Sequence, residues 1–371
     1  MRRLAPDMVF ETADLAGRDQ PDADAGRRKL AFLILNHLPG PVRIAVAQIM
    51  LLRLARRRLQ PKWQAMFKGA HAIVIGGGGI FADSDLNFPI KIATALNVAA
   101  ELGISAAVHA VGVAGNWSSR GKAYFGNALT RRRLIVATVR DERSLRNWNE
   151  QLVGFSVVPP AVVADPGLLA SRYFARGPRN SDRSVVGLCI TSPAALAYHS
   201  SEKSSAATEI WYVNLVSELV SQRYYVKLFT TGTPEDIEFA KRVRLLMERD
   251  KIDAEFDIPF SSTEAMIAMI SGCDLIIAHR LHAVIAAYSF KIPALALSWD
   301  EKMIGQCAQM GYSHRLFDTA IVSPIDLVSQ VQIAMAEGID EMIHANLLDN
   351  AEQGVRQLVD AIRGARENDD R

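Results

Sequence analysis

Three basic side chains stand within four residues at the point where an apolar run ends. Residues 271 to 283 read Ser-Gly-Cys-Asp-Leu-Ile-Ile-Ala-His-Arg-Leu-His-Ala, which predicts a strand, a short loop and the start of a helix. A helix N-terminus favours a bound anion, and the cationic side chain of Arg280 adds to this preference. His282 beside it is a candidate proton donor. A lone histidine is more often structural, but packing alone does not explain three basic side chains at such a position.

Two further cations follow other predicted strands. Arg140 comes directly after the strand Leu134 to Thr138, and Lys302 follows the strand Ala294 to Leu297. The planar guanidinium of an arginine matches a carboxylate or phosphate, and ligands of open α/β sheets bind at the carboxyl ends of the strands. The alternative for Arg140 is an ion pair with Asp141 or Glu142 at a helix start. The groups expected to converge on one small polyanion are Arg140, Arg280, His282 and Lys302.

A run of four glycines marks another strand end. The segment His71 to Phe81 reads His-Ala-Ile-Val-Ile-Gly-Gly-Gly-Gly-Ile-Phe, and its open backbone N–H groups are suited to an anion. It matches neither the dinucleotide-binding G-x-G-x-x-G pattern nor the P-loop. The candidate substrate-binding residues here are Gly77, Gly78 and Gly79. The alternative is a tight turn between strand and helix, packed against a neighbouring segment.

Short apolar runs alternate with amphipathic ones along most of the chain, which is typical of parallel sheets wrapped by helices. We place a connection between domains at Ser171 to Asp182, where polar residues, glycine and proline crowd together. The fold class predicted is α/β, with two Rossmann-like domains facing a cleft, as in two-domain glycosyltransferases of the GT-B type. The predicted domains are an N-terminal one over 1–170, a C-terminal one over 183–338, and a helical segment over 339–371 that returns to the first.

Helix-start signals support these elements. Ser261 followed by Glu264 predicts a capping box, and Thr233 before Pro234 predicts an N-cap with proline at the first helical position.

Composition excludes several classes of protein. Of 371 residues, 49% are hydrophobic and 22% charged, which indicates a substantial core, and a net charge of +2 argues against a nucleic-acid partner. Cys189, Cys273 and Cys307 lack the spacing of a zinc or redox site. We expect a protein that needs neither a metal nor a cofactor and that works in the reducing cytoplasm.

One segment is strongly basic. Nine cations and no acidic residue lie between Arg27 and Lys62, and a predicted helix that is apolar over a wide arc ends in Arg56-Arg57-Arg58. The segment is either a core helix with a basic end, which is the more common case, or a helix on the inner face of a membrane.

These blocks together resemble the polysaccharide pyruvyl transferases over His71 to Tyr312. The resemblance rests on the order of Val-Ile-Gly-Gly-Gly-Gly-Ile-Phe (74–81), Val-Arg-Asp-Glu-Arg-Ser (139–144), Asp-Pro (165–166) and the Arg-Leu-His block, with Lys302 behind it. It implies a GT-B-like fold and transfer of pyruvate from phosphoenolpyruvate to two hydroxyls of one sugar as a cyclic ketal. The implied partners are phosphoenolpyruvate and a saccharide acceptor, free or lipid-linked.

The resemblance also implies roles for individual residues. It makes His282 the acid/base group and Arg140 and Lys302 the groups that hold phosphoenolpyruvate, with Arg280 in support. The Asn-x-Gly-Asp loop usual near the amino end of that family is not found in this sequence. Two alternatives remain: a nucleotide-sugar glycosyltransferase, in which Asp300 or Glu301 holds a ribose, and a non-catalytic relative in polysaccharide assembly.

Overall fold

The chain folds into two compact α/β units. The computed structural model describes residues 3–18, 40–130, 134–179, 181–193, 208–258, 260, 262–298 and 301–369. The first unit comprises Met1–Asp165 and Glu352–Arg371, and the second comprises Pro166–Ala351.

The segment Ser171 to Asp182 was predicted to connect the two domains, but its described part lies within the second unit. The Arg176 Nε donates to the carbonyl of Ser271 at 3.0 Å, and the Gly177 N–H donates to the Ser271 hydroxyl at 2.8 Å. A side chain at position 177 would lie 1.8 Å from the carbonyl oxygen of Ala268. The glycine is therefore needed for close packing here.

The first unit is built around four parallel strands in the order β1-β2-β3-β4. Its described elements are α1 (Gly40–Leu54), a π-helical segment (Ala55–Leu59), α2 (Gln60–Phe67), β1 (Ala72–Gly76), α3 (Asn87–Glu101), β2 (Ser105–Val111), α4 (Ser119–Thr130), β3 (Leu134–Val139), α5 (Glu142–Gln151) and β4 (Ala161–Val162).

Both faces of this sheet are covered, as parallel strands require. All seven residues of β2 are buried. Ile73 and Val108 belong to the main core with the helices that follow each strand, while Ala107 packs against Leu358 and Ile362 of the last helix.

The second unit holds six parallel strands in the order β10-β9-β8-β5-β6-β7. Its described elements are a 3-10 turn (Pro166–Leu169), α6 (Ala170–Tyr173), β5 (Val185–Cys189), α7 (Glu209–Ser221), β6 (Tyr225–Phe229), α8 (Pro234–Arg249), β7 (Glu255–Asp257), α9 (Thr263–Ser271), β8 (Leu275–Ala278), α10 (Leu281–Ser289), β9 (Ala294–Ser298), α11 (Glu301–Gln309), a 3-10 turn (Ser313–Arg315), β10 (Leu316–Asp318), α12 (Pro324–Glu337) and α13 (Glu341–Asp369), whose last part belongs to the first unit.

Two helix starts test the predicted caps. Thr233 is the N-cap of α8, since its hydroxyl accepts from the Asp236 N–H at 3.3 Å. The cap predicted at Ser261 is wrong: Ser262, in extended backbone, is the N-cap of α9, and its hydroxyl accepts from the Ala265 N–H at 3.2 Å. The sequence predicts a helix over Thr263 to Ile270, and α9 does begin at Thr263, so only the capping residue differs. Ser261 itself lies outside the described residues.

Candidate functional site

Arg280 lies at the carboxyl edge of the second sheet, directly before a helix. It is the N-cap of α10 and has extended backbone, with φ −83° and ψ 113°. Its Nε donates to the Asp236 Oδ2 at 3.1 Å, and its Nη2 donates to the same oxygen. With 16% of its side chain exposed, Arg280 stays in partial contact with solvent while one edge of its guanidinium is held. The cation predicted at this edge is therefore present, and its guanidinium is held in place by Asp236.

Asp236 is a site residue that the sequence reasoning missed. Its side chain is completely buried, and its Oδ1 accepts from the Ser192 N–H at 2.7 Å. It stands three residues after the N-cap Thr233, which is the position of the acidic partner in a capping box. The Thr-Pro-Glu-Asp pattern was the available signal, although it does not reveal that the carboxylate reaches Arg280.

His282 occupies the first turn of α10 and is exposed. In the part of the chain that the structure describes, no group is hydrogen-bonded to its imidazole. A general acid needs such access because it must meet the substrate directly. Its position two residues after Arg280 places this candidate proton donor and the fixed cation at the same helix start.

His279, one residue before Arg280, is completely buried. Its Nδ1 lies 3.2 Å from the Tyr212 hydroxyl, which also accepts from the Thr191 N–H at 3.2 Å. Burial lowers the pKa of His279 to about 3, and the neighbouring positive charge of Arg280 acts in the same direction. A buried neutral imidazole of this kind supports the loop rather than the chemistry.

This buried histidine predicts a loss of stability in mild acid. Because the folded pKa of His279 is depressed from 6.5 to about 3, its contribution is fully present above pH 6.5 and is lost as the pH falls toward 3. Only the unfolded chain takes up the proton, so the folded-to-unfolded ratio falls up to about tenfold per pH unit for this group. Urea unfolding of the wild type and His279→Gln at several values between about pH 7 and about pH 4.5 measures the slope.

We expect a shallower slope for His279→Gln than for the wild type. The control is His71→Gln, the same change made at an exposed histidine. Parallel slopes in all three proteins would show that His279 does not contribute.

Lys302 lies in the first turn of α11, directly after β9. It is partly exposed, and β9 is the neighbour of β8 in the sheet. Lys302 and Arg280 therefore follow the carboxyl ends of adjacent strands. Trp299 and Asp300, which separate β9 from α11, lie outside the described residues.

Arg140 belongs to the first unit, and its side chain is only 2% exposed. Its Nε donates to the Asp141 Oδ2 at 3.2 Å, and Asp141 caps α5 by accepting from the Ser144 N–H at 2.6 Å. The guanidinium packs against Gly112, where an added Cβ would lie 3.0 Å from it. The ion pair considered as the alternative for Arg140 is thus present.

The glycine run forms a left-handed turn at the carboxyl end of β1. Gly77 has φ +79° and Gly78 has φ +61°, a region that favours glycine. The Gly77 N–H donates to the His109 carbonyl at 3.3 Å, and the Gly78 carbonyl accepts from the Gly112 N–H at 2.8 Å. The run is therefore packed against the next strand, as the alternative interpretation expected, and it remains partly exposed through Gly79.

A buried histidine beside this turn was not foreseen. His109 has its Nδ1 3.1 Å from the Thr138 hydroxyl, and burial lowers its pKa to about 4 against the opposing effect of Asp165. It lies at a β-bulge, where β2 has one residue more than β3 between Val108 and Val111, and Ala110 has φ +50°. Bulges often occur next to functional sites, which fits the position of this one beside the glycine run.

Comparison with known proteins identifies the family. The family model for polysaccharide pyruvyl transferase matches residues 43–301, well over half of the chain. The chain belongs to the polysaccharide pyruvyl transferase family. It is also 25% identical over 166 residues to the amylovoran biosynthesis protein AmsJ of Erwinia amylovora. That match covers 43% of this chain and 36% of the relative, so the chain spans about a third of the relative's length.

Solved structures with a similar fold include sugar-nucleotide enzymes. The UDP-GlcNAc 2-epimerase of Methanocaldococcus jannaschii has a TM-score of 0.54 at 12% identity, covering 82% of each chain. A putative UDP-N-acetylglucosamine 2-epimerase of Listeria monocytogenes has a TM-score of 0.56 at 10% identity, covering 86% of this chain and 80% of that one. A glycosyltransferase of Rickettsia africae has a TM-score of 0.50 at 10% identity, with coverage of 84% and 81%. At these identities the likeness confirms the predicted fold class of Rossmann-like units of the GT-B type.

Proposed function

We propose that this protein transfers the pyruvate moiety of phosphoenolpyruvate to two hydroxyls of one sugar, forming a cyclic ketal and releasing phosphate. The observation that carries the proposal is the Arg280-Leu281-His282 start of α10, where a fixed guanidinium stands two residues from an exposed imidazole. Membership of the polysaccharide pyruvyl transferase family supports it. The acceptor is a polysaccharide or its lipid-linked precursor.

The chemistry needs one acid and several cations. His282 donates a proton to the methylene carbon of phosphoenolpyruvate, which makes the adjacent carbon an oxocarbenium-like centre. One sugar hydroxyl adds its oxygen to that carbon and gives its proton to the imidazole of His282, which restores the acid. The bond from the carbon to the phosphate oxygen then breaks as the second hydroxyl adds, and the proton of that hydroxyl leaves with the phosphate. Positive side chains stabilise the carboxylate and the departing phosphate throughout.

Arg280 and Lys302 are the cations of the second unit in this proposal. They follow the ends of the adjacent strands β8 and β9, where open sheets bind their ligands. Arg140 keeps its proposed donor-binding role in the first unit alongside its ion pair with Asp141. The amide groups of Gly78 and Gly79 are the proposed anion donors of the glycine turn, since the Gly77 N–H already donates to the protein.

We further propose that the protein meets its acceptor at a membrane surface. Helix α1 packs Leu51 and Leu52 against the core, whereas Val42, Ile49 and Met50 on another face are about half exposed. The π-helical segment buries Ala55 and Leu59 and turns Arg56, Arg57 and Arg58 outward. Exposed apolar residues beside a row of cations suit an anionic lipid surface. Among the described residues, no helix is long and apolar enough to cross a bilayer.

The membrane proposal predicts salt-sensitive binding to anionic vesicles. Each cation near the surface contributes about 1 kcal/mol, so the protein should sediment with anionic vesicles at low salt and remain in solution with neutral vesicles or at high salt. The triple change Arg56→Gln, Arg57→Gln and Arg58→Gln should leave the protein in the supernatant.

A matched control comes from α8, which carries the exposed cations Lys241, Arg244 and Arg249. Changing these three to glutamine removes the same charge elsewhere, and this variant should sediment like the wild type. Equal recovery in the supernatant under all conditions would contradict the membrane proposal.

Released products distinguish the proposed reaction from the glycosyltransferase alternative. The protein is incubated with phosphoenolpyruvate or nucleotide sugars and a panel of lipid-linked oligosaccharides. Phosphate released from phosphoenolpyruvate only when an acceptor is present supports pyruvyl transfer. Nucleotide released from a sugar donor would instead establish glycosyl transfer, and ligand-induced thermal stabilisation without turnover would favour the non-catalytic alternative.

A further inference from the structure

We propose that Asp236 is a positioning residue of the donor site, and that it acts by fixing the guanidinium of Arg280. This inference rests on the proposed function, because it treats Arg280 as a group that binds the phosphoenolpyruvate anion. Asp236 itself has no contact with the donor in this account. Its effect passes through Arg280.

The contacts of the buried carboxylate define this role. The Oδ2 of Asp236 accepts hydrogen bonds from both the Nε and the Nη2 of Arg280. The Oδ1 accepts a hydrogen bond from the Ser192 N–H at 2.7 Å. The carboxylate therefore joins the ends of three adjacent strands: β5 through Ser192, β6 through its own helix α8, and β8 through Arg280. Burying a carboxylate is costly unless charged or polar partners compensate, and here both kinds are present.

A second helix of the same unit shows that capping alone does not explain these contacts. Helix α12 begins with Ser323-Pro324-Ile325-Asp326, the same pattern as Thr233-Pro234-Glu235-Asp236 at the start of α8. Asp326 is exposed and forms two hydrogen bonds with its N-cap residue. The Ser323 hydroxyl donates to the Asp326 Oδ2 at 2.6 Å and accepts from the Asp326 N–H at 3.2 Å. Asp236 forms only the second kind of hydrogen bond with its N-cap residue, from its own N–H to the Thr233 hydroxyl. Its carboxylate accepts hydrogen bonds from Arg280 instead.

Fixing Arg280 matters because a free arginine side chain has many rotamers. A guanidinium already held along its Nε and Nη2 edge loses less entropy when an anion binds to its remaining edge. Losing this support should weaken donor binding more than it slows the chemical step. The expected signature is a raised KM for phosphoenolpyruvate with a nearly unchanged kcat.

The test compares Asp236→Asn with Asp326→Asn, which removes the same charge from the equivalent position of the other helix. We expect Asp236→Asn to raise the KM for phosphoenolpyruvate by at least about tenfold, as for loss of a hydrogen bond to a charged group. The kcat should change much less, and Asp326→Asn should match the wild type. A donor KM that is equal in the two variants would overturn the proposal.

A double-mutant cycle shows whether the effect passes through Arg280. In the Arg280→Gln background, Asp236→Asn should leave the donor KM unchanged, because the group that it positions is already gone. An equal loss in both backgrounds would make Asp236 merely structural and overturn the proposal. If Asp236→Asn alone does not fold, the double variant, which removes the buried carboxylate together with its partner cation, is compared with Arg280→Gln in the same way.

Calorimetric titration with inorganic phosphate separates this inference from the proposed function. A wild-type protein that binds phosphate but releases none from phosphoenolpyruvate would contradict the proposed function alone. The positioning claim is then decided by phosphate affinity, which should fall at least about tenfold in Asp236→Asn and stay unchanged in Asp326→Asn. A wild type with full turnover and an unaffected Asp236→Asn would contradict the positioning claim alone.

Discussion

His282→Ala is expected to abolish pyruvyl transfer while leaving the protein folded. The side chain is exposed, so its removal creates no cavity, and it has no hydrogen-bond partner among the described residues. Removing a general acid typically lowers the rate by about 100-fold to 10,000-fold. Steady-state phosphate release with saturating acceptor measures the loss, and urea unfolding measures stability in parallel.

His314 offers a matched control for this variant. It is an exposed histidine of the same unit that lies outside the proposed site, and it contacts Glu337. His314→Ala should retain wild-type turnover. Near-normal turnover in a folded His282→Ala protein would overturn the assignment of the acid.

Alanine at Arg140 and at Lys302 should have different effects. Arg140→Ala leaves the largely buried Asp141 without its cation, a change that typically destabilises a protein by about 3 kcal/mol or more. Lys302→Ala removes a partly exposed side chain and should lower donor affinity by about 1.5 to 3 kcal/mol with little loss of stability. Urea unfolding together with calorimetric binding of phosphoenolpyruvate separates the two effects.

The proposed donor role of Arg140 is tested without the loss of its charge. Arg140→Lys retains a cation near Asp141 but lacks the planar fork, so its donor affinity should fall while the protein stays folded. Wild-type affinity for phosphoenolpyruvate in both Arg140→Lys and Lys302→Ala would place the donor site elsewhere.

The elements that the sequence predicts best are those with local boundary signals. From the cap at Thr233-Pro234 and from a short apolar run, the sequence predicts a helix over Pro234 to Arg249 and a strand over Leu275 to Ala278. Helix α8 and strand β8 have these bounds residue for residue. Helix α4 has a weaker local signal, because it contains Gly121 and Gly126, which disfavour helix. Both glycines are required by packing against residues distant in the sequence. A Cβ at position 126 would lie 2.4 Å from Phe155, and a Cβ at position 121 would lie 2.4 Å from Asp83.

The site shows the same division between local and long-range information. Sequence pattern places Arg280 and His282 at a helix start, since strand, loop and helix are all encoded within Ser271 to Ala283. The carboxylate that holds Arg280 lies 44 residues away, in the first turn of the helix that follows strand β6. Its role depends on the order of strands in the sheet, which local periodicity does not specify. Sequence also does not reveal that Arg140 is buried against Gly112.

The most direct test of the central claim is the mass of the acceptor after reaction with phosphoenolpyruvate. Pyruvyl transfer adds one pyruvic acid less one water to a single sugar residue and releases one phosphate for each product formed. We predict this gain for the wild-type protein with a lipid-linked oligosaccharide acceptor, and its loss in His282→Ala. An acceptor of unchanged mass across the panel, or one that gains a whole sugar from a nucleotide donor, would contradict the account.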